Sequence, residues 1–367
     1  IKTSKHIIEV IVEKIQEIAK DIYNKIKLIK QPELVMPIRA LSNVEYNEKE
    51  GYFKIMDKIK SRTLTASTIK TFAQTLRMMG LSKELIEKND IATKREAYYV
   101  SKNWGDARFK EQPESDTVMD DIEAMMRVNR EQIGFIPGEK GGAVAGKLTV
   151  IDVDQDTKKE LKIDCTKFGS GAYAIPSSVE HLKFETNAKF VLAIETAGMF
   201  ERLNKHKYWK KTNCIIIAMS GVPTRATRRF MRKLADENKL PVYVFTDGDP
   251  YGYFSIYRTL KVGSGNAAHI NKFFCVPNAR FIGVTPQDIK DYKLPTHPLK
   301  EVDFKKIKDV IKNDPFCKHH KEWQKALQKM AKMKVRVEQQ AFSAHSLNFV
   351  METYLPKKLK DQKTWLP

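Results

Sequence analysis

The constraint that most limits how this chain can fold is residues 242–252, V-Y-V-F-T-D-G-D-P-Y-G, an apolar strand-like run that stops at two carboxylates in a Gly/Pro turn. Asp247 and Asp249 are two apart, and alternate residues of a strand project to the same side. Gly248 between them permits a sharp turn that aims both side chains at one small target. A hard divalent cation suits that target, because Mg2+ takes oxygen ligands and usually only one or two carboxylates. D-G and D-P are also ordinary loop punctuation, so the rest of the chain decides what the motif means.

Residues 189–194, K-F-V-L-A-I, form another buried-strand run, and it ends at Glu195. Further runs at 214–219 and 241–245 are separated by helical stretches. Strand alternating with helix implies an α/β fold with parallel pairing. In such a sheet the active groups collect beyond the carboxyl ends of the strands, where Glu195, Gly221 and Asp247 all fall. Glu195, Asp247 and Asp249 therefore converge from two strand ends, and a metal site becomes the favoured reading. The helix after Gly221 carries Arg225, Arg228, Arg229 and Arg232 along one face. A solvated basic face is the default, but beside a metal cleft these residues are expected to contact phosphate without reading sequence.

The chain has 367 residues and a formal net charge of +20, enough material for about two domains with real cores. An excess of Lys and Arg spread through folded segments points to nucleic acid, with an anionic membrane surface as the weaker option. No window approaches the roughly 18 apolar residues a spanning helix needs, and no secretory leader is visible. Cys165, Cys214, Cys275 and Cys317 lie far apart with no C-x-x-C, so neither a disulfide framework nor a zinc site is indicated. An intracellular, reducing location is expected.

Ile8, Ile11, Ile15, Ile18, Ile22, Ile26 and Ile29 recur at helical steps and predict one long amphipathic helix, packed within the chain or docked on a partner. Residues 34–59 alternate as a short hairpin. From Ser67 the period is helical up to Gly80; a second short helix is expected from Leu81, and a third from Thr93, where Thr93 and Glu96 form a capping-box signature. Three short helices in a basic chain suggest a helix-turn-helix or winged-helix module. The third helix holds R-E-A-Y-Y. Arg95 is three residues before Tyr98 and four before Tyr99, so its guanidinium can reach either phenol. A tyrosine is a weak nucleophile at neutral pH, and a nearby cation favours the phenolate and charge growing on a phosphate. The spacing does not choose between the two tyrosines.

R-E-A-Y-Y with its flanking S-K-N-W-G-D, together with Glu195 and D-G-D-P-Y-G, resembles the A subunits of the archaeal type IIB DNA topoisomerases, a family related to the eukaryotic meiotic double-strand-break protein. The resemblance runs from about Leu64 to the carboxyl terminus. It implies an extension over residues 1–66, a winged-helix (CAP-like) domain over 67–150, and a Rossmann-like Toprim domain with C-terminal helices over 151–367. In the family the catalytic tyrosine is the last residue of the motif, here Tyr99, with Arg95 beside it. The Toprim acids, here Glu195, Asp247 and Asp249, hold Mg2+.

The function so implied is ATP-dependent cleavage and rejoining of double-stranded DNA through a 5′-phosphotyrosyl intermediate, relaxing supercoils and separating linked duplexes. A homodimer forms the DNA gate, with the metal of one protomer serving the tyrosine of the other. ATP enters only through a separate B subunit with a GHKL-type ATPase, giving an A2B2 heterotetramer that the isoleucine helix is expected to contact. The alternatives are a break-forming transesterase without resealing and a metal-dependent nuclease that uses water.

Residues 141–147 formally satisfy G-x-x-x-x-G-K, but Leu148 replaces the Ser or Thr of a phosphate loop and a strand follows. The segment is instead expected to be a wing and linker, with Lys140 on a phosphate. G-S-G-N-A-A at 263–268 is read as a loop, with His269 as a residue supporting the metal site. Cys317, His319 and His320 are read as a helix start. The helices after Glu322 are expected to buttress the sheet rather than take part in chemistry.

Overall fold

The computed structural model describes residues 4–139, 141–154 and 156–367. It divides into two compact units, one of Ile1–Glu45, Phe53–Glu139 and Ser264–Phe273, the other of Tyr46–Tyr52, Lys140–Gly263 and Phe274–Pro367. Among the described residues no helix is long and apolar enough to cross a membrane.

In the first unit the isoleucine stripe forms helix α1 (Ser4–Lys27). It is followed by α2 (Ile69–Lys88), α3 (Lys94–Val100) and α4 (Gln112–Met126). Ile11 and Ile15 are buried with Met78, Met79 and Leu85 of α2 and Val118, Met119 and Ile122 of α4. Ile22 packs on Leu34, Met36 and Phe72. From Ile11 to Ile22 the stripe is therefore spent inside the chain, whereas Ile26 at 53 % and Ile29 at 97 % exposure face outward. The hairpin is present as Glu33–Pro37 paired antiparallel with Ile59–Thr63.

The turn expected at Gly80 is absent, because α2 runs through it as one helix. A glycine inside a helix costs about 1 kcal/mol. Met78, Met79, Ser82 and Leu85, on both sides of Gly80, are all buried in α2, which outweighs that cost. The helix stops at Asn89, whose left-handed backbone (φ 53°) lets the chain turn back while the next amide, of Asp90, bonds the Leu85 carbonyl at 2.8 Å.

The second unit is built on a six-stranded sheet. Its strands are β1 (Ala143–Gly146), β2 (Tyr173–Ala174), β3 (Val191–Ile194), β4 (Ile215–Ala218), β5 (Val242–Phe245) and β6 (Arg280–Gly283), in the spatial order β2-β1-β4-β3-β5-β6. β3 pairs in parallel with both β4 and β5, and β5 with β6. Every residue of β3 and β4 is buried, as apolar strands covered on both faces require. The chain leaves β3 for β4 on one side and returns to β5 on the other, so the strand order reverses at β3. Ligand crevices of open α/β sheets open at such a point.

β1 corrects the wing-and-linker expectation. It is a sheet strand, antiparallel to β4, and the glycines at its two ends serve close approach: a Cβ on Gly142, just before it, would stand 2.1 Å from the Ala218 carbonyl oxygen, and one on Gly146 2.6 Å from that of Cys214. Strand Thr149–Val153 continues into a separate three-stranded antiparallel sheet with Glu160–Asp164 and Lys183–Glu185. The C-terminal segment buttresses the main sheet as expected, with Phe342, Val350, Tyr354 and Leu355 buried in the same core as Leu192, Ile194 and Phe245. Trp323, fully buried, stacks on Tyr257 and meets Tyr253, Phe281 and Phe316 edge-on or tilted.

Candidate active site

The tyrosine pair sits on α3, whose start is fixed by the capping box read from the sequence. Thr93 Oγ1 accepts from the Glu96 amide at 3.1 Å, and Glu96 Oε2 accepts from the Thr93 amide at 2.6 Å. Ala97, fully buried, anchors the inner side of the helix. Tyr98 is held: its hydroxyl donates to the Lys110 carbonyl at 3.0 Å and Lys102 Nζ lies 4.1 Å from its ring centroid. Tyr99 is 55 % exposed, and among the described residues its hydroxyl has no hydrogen-bond partner. The Arg95 guanidinium lies over the Tyr99 ring, 5.9 Å from its centroid. The geometry thus separates two tyrosines that the sequence spacing could not.

In the second unit the three acids gather beyond the ends of β3 and β5 at the switch point, although their carboxyl oxygens do not all come within 4.8 Å of one another. Glu195 follows β3 and Asp247 stands two residues beyond β5; the register pairs Ile194 with Phe245. The Glu195 amide closes the ladder on the Phe245 carbonyl at 3.0 Å, and Glu195 Oε2 accepts from the Asp247 amide at 2.8 Å. Asp247 Oδ1 accepts from the Gln339 amide at 2.8 Å. Asp249 Oδ1 accepts from the Gly252 amide at 2.6 Å and so caps the helical segment that Pro250 introduces.

Gly248 has a different role from the one its turn suggests. It pairs with Val337 as an antiparallel bridge, and a Cβ there would come within 2.6 Å of Val337 Cγ1 and 2.9 Å of the Val284 carbonyl oxygen. The segment Val335–Gln339 therefore lies across the acidic loop, placing Arg336 opposite Asp249 and Glu338 opposite Asp247.

Burial raises all three acids. Glu195, 8 % exposed, is pushed up to about 8 by burial and then by the charge of Asp247, against the pull of the Asp247 amide. Burial pushes Asp247 up to about 6, with the Gln339 amide and Arg336 drawing it back. Asp249 is raised by burial and eased by the Gly252 amide and Arg336. Among the described residues none of the three forms an ion pair. Buried carboxyls that repel one another, with Arg336 acting on two of them but no ion pair formed among the described residues, suit a divalent ion with oxygen ligands.

Asp120, Glu123 and His269 are the one described group whose ligand-type atoms all come within 4.8 Å of one another. A cation is already there: Arg130 Nη2 lies 2.6 Å from Asp120 Oδ1 and 3.1 Å from Glu123 Oε2, and Arg39 pairs with Asp120 at 3.2 Å. His269 was expected to support the acids of the sheet. It belongs instead to the first unit, 92 % buried, with Nε2 3.9 Å from Glu123 Oε2 and no hydrogen bond to either ring nitrogen.

The arginine helix, α6 (Arg225–Glu237), follows α5 (Ala197–Lys205), and its arginines have partners within the chain. Arg229 is committed to Glu180 through two bonds of 2.8 Å, and Arg232 to Asp236 and the Cys275 carbonyl. Arg225 and Arg228 lie over the Phe274 ring at 4.6 and 5.6 Å. Lys140 lies outside the described residues. Two groups that the sequence reading missed are Gln339 and Arg336, which reach the acids from the segment read as mere buttress.

A doubly wound sheet with acids at its switch point defines a Toprim class of enzyme, and residues 190–359 match the family model described as the Toprim domain of Spo11 and of the topoisomerase 6 A subunit. Residues 138–188 match the all-beta domain of the alpha subunit of DNA topoisomerase VI, and residues 70–135 the model described as type IIB DNA topoisomerase. The chain is 54 % identical to the A subunit of the type 2 DNA topoisomerase 6 of Methanocaldococcus jannaschii, over 98 % of this chain and 97 % of that protein. It is 37 % identical to the like-named protein of Pyrococcus abyssi (96 % and 94 % covered) and 34 % identical to that of Methanothermobacter thermautotrophicus (96 % and 98 %). The chain belongs to the A subunits of the type IIB DNA topoisomerases, the DNA-cleaving partners within that class of isomerase.

Proposed function

We propose that Tyr99 is the nucleophile of DNA cleavage and that Glu195, Asp247 and Asp249 are the Mg2+ ligands. The observation that carries the first assignment is the hydroxyl of Tyr99, which is exposed, unbonded and next to Arg95, while that of Tyr98 is spent on Lys110. Tyr99 Oη attacks a backbone phosphorus, a phosphotyrosyl ester forms, and the bond to the 3′ oxygen breaks, leaving a 3′-hydroxyl end. The phenolic proton leaves to solvent as the ester forms, and the departing 3′ oxygen takes up a proton from solvent. Attack of the 3′-hydroxyl on the ester reverses each step, so the phosphodiester energy is conserved and resealing needs no new high-energy bond. Arg95 lowers the cost of charge on the phenolate and the phosphate. Mg2+ held by the three acids would stabilise phosphate charge and hold the 3′ oxygen.

The helices α2 to α4 are read as the winged-helix module, which ends before strand β1, and Arg225 and Arg228 as contacts to phosphate. Strand passage requires ATP, and the reading assigns it to a B-type ATPase partner in an A2B2 assembly, since the one phosphate-loop-like sequence here is a strand. The test is to incubate the chain and its ATPase partner with Mg2+ and end-labelled duplex, quench with detergent and look for protein-linked DNA. An adduct that Tyr99→Phe abolishes supports the assignment. Cleavage to free 5′-phosphate ends without an adduct makes the water-using nuclease the better account. Mixing Tyr99→Phe with Glu195→Ala chains recovers cleavage if the two protomers share their groups.

A further inference from the structure

Gln339 is fully buried, and a primary amide in that position must find partners for a carbonyl oxygen and two N–H donors. Its Oε1 accepts from Thr196 Oγ1 at 2.8 Å and from the Thr196 amide at 3.3 Å. Its Nε2 donates to the Phe245 carbonyl at 2.9 Å, and its backbone amide donates to Asp247 Oδ1 at 2.8 Å. Thr196 directly follows Glu195, and Phe245 ends β5 two residues before Asp247. One residue of the C-terminal segment thus grips both strand ends that carry the acids, and one acid directly.

Core filling alone does not account for this. An apolar residue would fill the space without the desolvation that a buried amide must offset bond by bond. Thr196 gives a second sign. It is the N-cap residue of α5, yet its hydroxyl makes no capping bond and is donated to Gln339 instead. The position of the grip also matters. The last backbone bond between β3 and β5 is Glu195 N to Phe245 O, and beyond it the chains carry carboxyls that repel one another.

We propose that Gln339 is a positioning residue of the cation site, holding Glu195 and Asp247 at the spacing that a divalent ion requires. The proposal rests on reading the three acids as the metal ligands. Groups that orient metal ligands are commonly worth about 10- to 100-fold in affinity.

The test is Mn2+ binding to the full chain, without DNA or partner, followed by loss of the free-ion electron paramagnetic resonance signal. Gln339→Met keeps the length of the side chain and the backbone amide while deleting the amide bonds. Its Mn2+ affinity is expected to fall about tenfold. Thr196→Val is expected to weaken binding as well, and the double variant to be no weaker than Gln339→Met, since both changes break one shared bond. Glu195→Ala is the control and loses the ion. If Glu195→Ala loses Mn2+ while Gln339→Met binds as the unsubstituted chain does, the positioning role is overturned. If Glu195→Ala itself binds Mn2+ normally, the ligand reading has failed and takes this proposal with it. Should Gln339→Met not fold, Thr196→Val decides alone, and unchanged Mn2+ affinity overturns the role.

Discussion

Tyr98 and Tyr99 meet edge to face at 5.3 Å between ring centroids, yet only Tyr98 has its hydroxyl committed, to the Lys110 carbonyl. Neighbours in sequence are thus divided into a structural phenol and an available one. Tyr99→Phe is expected to change stability by no more than about 0.5 kcal/mol, as a surface substitution does, while reducing the covalent adduct below detection. Tyr98→Phe removes one hydrogen bond, costing about 1 kcal/mol, and keeps the adduct. Gel analysis of detergent-quenched reactions, with thermal melts of both variants, checks the pair. An adduct retained in Tyr99→Phe and lost in Tyr98→Phe would reverse the assignment.

The pKa values of the acids give metal binding a direction with pH. Glu195 is pushed up to about 8 and Asp247 to about 6, so the metal-free site holds protons that Mg2+ must displace. Affinity is expected to rise from pH 6 to pH 8 by up to about tenfold per unit for each proton released, then to level off. The stability of the metal-free chain runs the other way. A carboxyl whose folded pKa exceeds its unfolded value adds stability below the unfolded value, and that stability is lost as pH rises through the folded one. The metal-free melting temperature should therefore carry a decline toward pH 8 that Glu195→Gln reduces and Mg2+ reverses. Mg2+ titrations by calorimetry and melts across this range measure both.

How much was legible in the sequence follows from which interactions are local. V-L-A-I and V-Y-V-F announce buried strands, and Glu195 directly and Asp247 two residues on follow their ends, so the place of these acids beyond the strands was legible without coordinates. The capping box of Thr93 and Glu96 was equally visible, being a contact over three residues. Gln339 was not, because its partner Asp247 is 92 positions away and nothing in Q-Q-A-F marks it. Glycine misled twice for the same reason. Gly80 is tolerated within α2 because its neighbours are buried, and Gly142 is needed because a carbonyl from β4 presses on it. Both are tertiary facts that a turn-forming reputation conceals.

The isoleucine helix, which the sequence left either packed within the chain or docked on a partner, allows a prediction that separates the two roles. Ile15 is 4 % exposed in the core with Met79 and Met119, so Ile15→Ala is expected to cost about 2–4 kcal/mol. Ile26→Ala, at a 53 % exposed position, should change stability by no more than about 0.5 kcal/mol. Removal of residues 1–30 should accordingly destabilise the first unit rather than only weaken assembly. Chemical denaturation of the three variants distinguishes the accounts, and a truncated chain that melts as the full one does would restore the docking arm.

Arg229 offers the sharpest check on the basic helix, because its two bonds to Glu180 make opposite predictions from those of a phosphate contact. Both partners are about four-fifths buried, at 20 % and 18 % side-chain exposure, so cutting the pair removes two charge-assisted bonds from Glu180 in a poorly solvated place. Arg229→Ala should lower stability by about 1–3 kcal/mol. Its effect on DNA should be small, since each phosphate contact contributes about 0.9 to the slope of log affinity against log salt. That slope is expected to stay unchanged in Arg229→Ala when measured by fluorescence anisotropy across salt concentrations. A slope lowered by about one with an unchanged melting temperature would return Arg229 to the DNA-facing surface, and would mean that the Glu180 pair opens when DNA binds.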